Sequence, residues 1–120
     1  MAKVMIVDDS FSEIQVMESV LKGAGFQVVA ISDPGEAEAR VATEQPDVLL
    51  LDVVMPKRNG YEVLRSLRRQ DQTKGVPVVM VTSKNQETDR AWGMRQGANE
   101  YVAKPFTPDQ LLGAVRRVVK

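Results

Sequence analysis

Val48-Leu49-Leu50-Leu51-Asp52 is a run of four apolar residues closed by an acid, and the rest of the chain is organised around it. Such a run is too short for an ordinary helix, and a carboxylate directly after it is costly unless solvated, paired or metal-bound. Four similar runs lie on either side: Val4 to Val7, Val28 to Ile31, Val78 to Val81 and Tyr101 to Ala103. Longer amphipathic stretches separate them, which is the pattern expected of βα units around a buried parallel sheet.

The separating stretches carry helix signals. Ser10 with Glu13, Asp33 followed by Pro34 and Glu36, and Thr107 followed by Pro108 and Gln110 read as caps or capping boxes. Gly25, Pro46, Gly75 and Gly97 read as helix ends. Ile14, Met17 and Leu21, and Leu111, Leu112, Val115 and Val119, have the spacing of one buried face. On the fourth helix Ala91, Met94 and Ala98 fit the buried stripe. That leaves Trp92 partly exposed and available to a partner, with an ordinary packing role equally open. The chain reads as one (βα)5 domain over residues 1–120, closed by a helix from about Pro108 to Val119. Its class is α/β, a doubly wound five-stranded parallel sheet, for which the common strand order is 2-1-3-4-5.

Composition narrows the chemistry. The chain has 120 residues with 16 basic and 16 acidic side chains, no histidine and no cysteine. Disulfides, thiolate metal sites and the usual general base are excluded, so chemistry must use carboxylates, lysine or hydroxyls. Zero net charge argues against a general nucleic-acid or membrane binder; Arg116-Arg117 with Lys120 reads as a helix C-terminus complementing its dipole. No apolar stretch is long enough to cross a bilayer, and Met1-Ala2-Lys3 runs straight into a strand. A cytoplasmic protein without a signal peptide is expected.

In a sheet of this order, ligands bind beyond the carboxyl ends of the strands, where the first and third are neighbours. Those ends deliver Asp8-Asp9, Asp52, Thr82-Ser83 and Lys104-Pro105. Taken singly, Asp8-Asp9 could complement a helix dipole, Asp52 could be a turn residue, Thr82 a cap and Lys104 a solvated lysine. Gathered, three carboxylates repel one another, and without histidine or cysteine the simplest remedy is a hard cation of the Mg2+ type. Lys104 and Thr82 then suit a phosphoryl group.

Val7-Asp8-Asp9-Ser10, Leu51-Asp52-Val53-Val54-Met55-Pro56, Asn59-Gly60, Val81-Thr82-Ser83 and Lys104-Pro105-Phe106 stand in an order and approximate spacing that resemble the response-regulator receiver family along the whole chain. The resemblance implies a flavodoxin-like fold and a two-component switch in which Asp52 takes a phosphoryl group from a histidine kinase or a small phosphodonor. It implies that Asp9, Asp52 and the Val54 backbone carbonyl hold Mg2+, with Asp8 acting mainly through water. Lys104 would pair with a phosphoryl oxygen. Thr82 would bond another and draw in the following loop, leaving room for Tyr101 to turn inward; for Tyr101 the alternative is an edge-strand aromatic packed on its neighbour. The face of the fourth and fifth helices and fifth strand would be the output surface. The expected protein is a monomer, able to dimerise on phosphorylation, that assists its own phosphoryl transfer and hydrolysis without being an enzyme proper. A cis Lys104–Pro105 bond is expected as in relatives.

Departures from the family and rival readings both bear on function. Val54 and Lys84 stand where the family tunes acyl-phosphate lifetime, and neither is a polar water-positioning or acidic residue. Lys57-Arg58-Asn59 replaces a frequent acid before Gly60, and with no histidine the kinase must be another protein or domain. Phosphohydrolases of the haloacid-dehalogenase type generally need a second Asp two residues after the nucleophile, where this chain has Val54. A flavin or nucleotide carrier would need a Gly-rich loop after the first strand, which is missing. The remaining alternative is a receiver-like module that binds partners without phosphorylation. Stand-alone regulators of chemotaxis or twitching motility share the Thr82-Ser83-Lys84 and Asp52-Val53-Val54 stretches in general character.

Overall fold

In the computed structural model, which describes residues 2–119, the five apolar runs are strands: β1 (Lys3–Val7), β2 (Gln27–Ile31), β3 (Val48–Leu51), β4 (Val78–Thr82) and β5 (Glu100–Ala103). They form one parallel sheet in the order β2-β1-β3-β4-β5. β1 and β3 lie side by side with Val7 opposite Leu51, so their following acids leave the sheet together. The helices are α1 (Phe11–Gly23), α2 (Ala37–Glu44) after a 3-10 turn at Pro34–Glu36, α3 (Gly60–Arg69), α4 (Glu87–Gln96) and α5 (Pro108–Val118).

Strand alternation divides the core. Val4, Ile6, Leu50, Val79 and Val81 pack against Ile14, Met17 and Leu21 of α1 and Leu111, Ala114 and Val115 of α5. Met5, Val7, Leu49, Leu51, Val78 and Met80 pack against Val41 of α2 and Val63, Leu64 and Leu67 of α3. The central strands are therefore buried on both sides, which is why they lack a polar face.

Thr107 and Gln110 form a full capping box on α5, and Asp33 caps the 3-10 turn by accepting the Gly35 N–H. Gln45 and Gly97 end α2 and α4 in the left-handed region, and Pro46 follows the first of these. Gly75 does not end a helix: α3 stops at Arg69, and a turn held by Thr73 intervenes before β4. The expected stripe on α4 is also corrected. Ala91 and Met94 are exposed, Ala98 is buried beyond the helix, and Gly93 is the buried residue of α4. A side chain at Gly93 would meet the Tyr101 ring at 3.0 Å, so the helix approaches β5 through an absent Cβ rather than an apolar stripe. Lys120, grouped with the basic tail, lies outside the described residues, as does Met1.

Arg58, in the loop after β3, ties that loop to α2 through two hydrogen bonds to Glu38, of 2.8 and 2.6 Å. The Arg58 guanidinium, helped by Ser66, holds the Glu38 carboxyl down at about 2 despite the opposing effect of burial. A folded-state value below the unfolded one gives stability that is present above pH 4.5 and lost as the pH falls towards 2. Urea unfolding of the native chain and Glu38→Gln should therefore differ by about 1–3 kcal/mol at pH 6, allowing for partial exposure, and converge near pH 2.

Candidate functional site

The charge set sits at the carboxyl end of the sheet because the ladders run past the apolar residues before they stop. Asp8 N–H still donates to Ile31 O (3.2 Å), Asp52 N–H to Val7 O (3.1 Å) and Lys104 N–H to Thr82 O (2.8 Å). The backbone of each group is thus fixed by a neighbouring strand. Asp8 and Asp52 are 1% and 6% exposed, as expected only of charges that are paired. Lys104 Nζ lies 2.8 Å from Asp8 Oδ2, 2.9 Å from Glu13 Oε1 and 3.3 Å from Asp52 Oδ2. The second oxygens of the two aspartates are held as well: Asp8 Oδ1 accepts the Ser10 N–H (3.0 Å) and Asp52 Oδ1 the Val54 N–H (3.2 Å). The Lys104–Pro105 bond is cis.

Burial opposes the charge on Lys104, but hydrogen bonds to Asp8 and Glu13 and the charge of Asp52 outweigh it, so its affinity for the proton rises. For Asp8 the balance goes the other way. Burial pushes its carboxyl up despite the bonds from Lys104 and Ser10, with Asp52 adding repulsion. One ammonium among three carboxylates leaves the cluster anionic.

Glu13 is the member that the sequence reading passed over. It looked like the far half of a capping box, and Ser10 does accept the Glu13 N–H (3.4 Å). The reciprocal bond is replaced because Asp8 takes the Ser10 N–H, and the Glu13 carboxylate goes to Lys104 instead. An acid one helical turn beyond an acid-ended strand is the signal that could have found it. Asp9, by contrast, is exposed at the same strand end.

Thr82 is fully buried, and its hydroxyl accepts the Lys84 N–H at 3.3 Å. Tyr101 is turned inward: its hydroxyl donates to Lys84 O (2.7 Å) and lies 3.3 Å from that of Tyr61, which in turn donates to Asp89 O. The loop after β4 is therefore fastened to β5, and α3 to α4. Trp92 is 42% exposed on α4, and Val54 is 52% exposed.

Carboxylate oxygens of Asp8, Glu13 and Asp52 all lie within 4.8 Å of one another. An all-oxygen, anionic set suits a hard divalent cation, and buried acids already repelling one another would gain from its charge.

Comparison with known proteins accords with this geometry. Residues 4–116 match the family model of the response regulator receiver domain. The chain is 41% identical to protein PilH of Pseudomonas aeruginosa, covering 99% of this chain and 98% of that one. It is 36% identical to the alkaline phosphatase synthesis transcriptional regulatory protein PhoP of Bacillus subtilis, covering 98% of this chain but 48% of the relative. The structure of the chemotaxis protein CheY4 of Vibrio cholerae superposes with a TM-score of 0.91 at 37% identity, covering 99% of both chains.

Neutralising different members of the cluster should have opposite effects on the metal-free protein. Asp8→Asn removes an ionisation that folding disfavours and should raise urea stability at pH 7 in EDTA. Lys104→Ala leaves the carboxylates uncompensated and should lower it by about 3 kcal/mol.

Proposed function

The chain belongs to the response regulator receiver domain family, a signalling regulator of two-component systems rather than a classical enzyme, and from that premise we propose that Asp52 is its phosphoacceptor. Residues 1–120 then form one receiver domain. The observation that carries the reading is the Lys104 ammonium held against Asp52, Asp8 and Glu13 at the end of the β1–β3 pair.

An Asp52 carboxylate oxygen attacks the phosphorus of a kinase phosphohistidine, or of a small phosphodonor. The bond from phosphorus to the donor's leaving atom breaks, and a mixed anhydride forms on Asp52. Lys104 is already within reach of the Asp52 carboxylate, so its ammonium meets a phosphoryl oxygen without rearrangement of the strand that bears it. Asp9, Asp52 and the Val54 carbonyl would hold Mg2+, with Asp8 through water and Glu13 beside them. When bound, the ion supplies neutralisation of the charge that gathers on the transferred group. Thr82 exchanges its bond to the Lys84 N–H for one to a phosphoryl oxygen, which pulls on the loop that also holds the Tyr101 hydroxyl. Through that loop the added charge biases α4 and β5.

The switch face is then α4, β5 and α5, with Trp92 offered to a partner, and output is by docking to a downstream protein. The whole-length likeness to PilH and CheY4 supports a motility or chemotaxis system. Among the described residues no helix is long and apolar enough to cross a membrane. A cytoplasmic monomer that could dimerise when phosphorylated fits this use. One observation favours the alternative of a phosphorylation-independent module: Tyr101 is already inward and bonded.

Intact mass after incubation with acetyl phosphate separates the two. The native chain should gain one phosphoryl group only with Mg2+, and Asp52→Asn should gain none while keeping its fold. A labelled Asp52→Asn protein overturns the assignment; an unlabelled native chain, with a cognate kinase also failing, favours the phosphorylation-independent module.

A further inference from the structure

Between Asp52 and α3 the chain passes through a loop whose inner side is well fixed. Val53 and Met55 are buried, and the Gly60 N–H donates to Val53 O at 2.9 Å. Gly60 is required here, since a Cβ would fall 2.1 Å from the Asp52 carbonyl oxygen. The outer side is different. Pro56 and Lys57 are exposed, and Lys57 has a φ of 70°, in the left-handed region that a long side chain rarely adopts.

That outer side is held by Arg58. Its two terminal nitrogens donate to Glu38 at 2.8 and 2.6 Å, and one also donates to Pro34 O at 3.2 Å. Glu38 lies in the first turn of α2 and Pro34 in the turn before it, so one side chain fastens the loop to a separate helix. A planar fork on a carboxylate and a carbonyl constrains direction as well as distance, which a point charge does not.

We propose that Arg58 is a positioning residue for this loop, holding the Val54 backbone where its carbonyl can serve the site by anchoring it to α2 through Glu38 and Pro34. This deepens the reading of the phosphoacceptor site and rests on it for the role of Val54. Arg58 touches neither the phosphoryl group nor the metal; it acts through the loop. The same tether makes α2 sensitive to the loop, because whatever moves Arg58 pulls on Glu38.

The test compares the native chain with Arg58→Ala and Arg58→Lys by Mg2+ titration calorimetry without phosphodonor and by amide hydrogen exchange. Arg58→Ala should weaken Mg2+ binding roughly tenfold and speed exchange at Val54 and Gly60, with exchange in β1 and β4 unchanged. Arg58→Lys keeps the charge but loses the fork, and should remain closer to Arg58→Ala than to the native chain. Native Mg2+ affinity and native loop exchange in both variants, with only a lowered melting temperature, would reduce Arg58 to a stabilising ion pair. If the native chain itself binds no Mg2+, the reading of the metal site fails, and exchange at Val54 and Gly60 alone decides whether Arg58 holds the loop.

Discussion

A lysine ammonium among three carboxylates from three parts of the chain is tolerable only where the leftover oxygens of the buried acids find donors, and the carboxyl end of this sheet is built to provide them. Lys104 draws Asp8, Glu13 and Asp52 together. Backbone N–H groups of Ser10 and Val54 take the second oxygens of Asp8 and Asp52. The interaction compensates the charges without neutralising them, so the cluster keeps a standing demand for positive charge. A fold that buries β1 and β3 on both faces has no other place to put these acids than at the last ladder hydrogen bond, where the apolar run ends, and the 2-1-3 strand order makes those two ends adjacent.

Local geometry then links this centre to surfaces far from it. On one side, Thr82 and Tyr101 both bond residue Lys84 of the loop after β4, one to its N–H and the other to its carbonyl. Tyr61 extends the connection to α4 through the Asp89 carbonyl, and Gly93 lets that helix lie close against the Tyr101 ring. On the other side, Arg58 joins the loop after Asp52 to α2. Both connections consist of directional hydrogen bonds among a few side chains and from side chains to backbone. Such links have discrete made and broken states, and so suit a switch better than graded packing does.

The sheet was legible because continuous β-branched runs have one physical explanation in a chain of this size, and their strand-end polar residues could be read without knowing any distance. Asp8, Asp52, Thr82 and Lys104 all stand at such ends. Glu13 was not legible, because its role depends on Asp8 taking the Ser10 N–H, a competition between two local motifs that no periodicity reports. The packing of α4 was misread for a related reason. Apolar spacing assigns Ala91 and Met94 to the core, whereas the helix is seated by the missing side chain of Gly93, which hydrophobic pattern cannot register. Gly75 marks a turn rather than the helix end that its position suggests, since glycine alone does not say which element it interrupts.

In the proposed switch, the carboxylate facing Lys104 from β3 carries the phosphoryl group as an acyl phosphate. Borohydride reduction converts such an aspartyl anhydride to homoserine, so peptide mapping of the chain after phosphodonor, Mg2+ and borohydride reads the acceptor directly. Homoserine is expected at position 52, with no reduced residue at any other acid of the cluster. Homoserine at position 8 or 9, hydroxynorvaline at position 13, or a phosphoryl group retained on a serine or threonine, would contradict it.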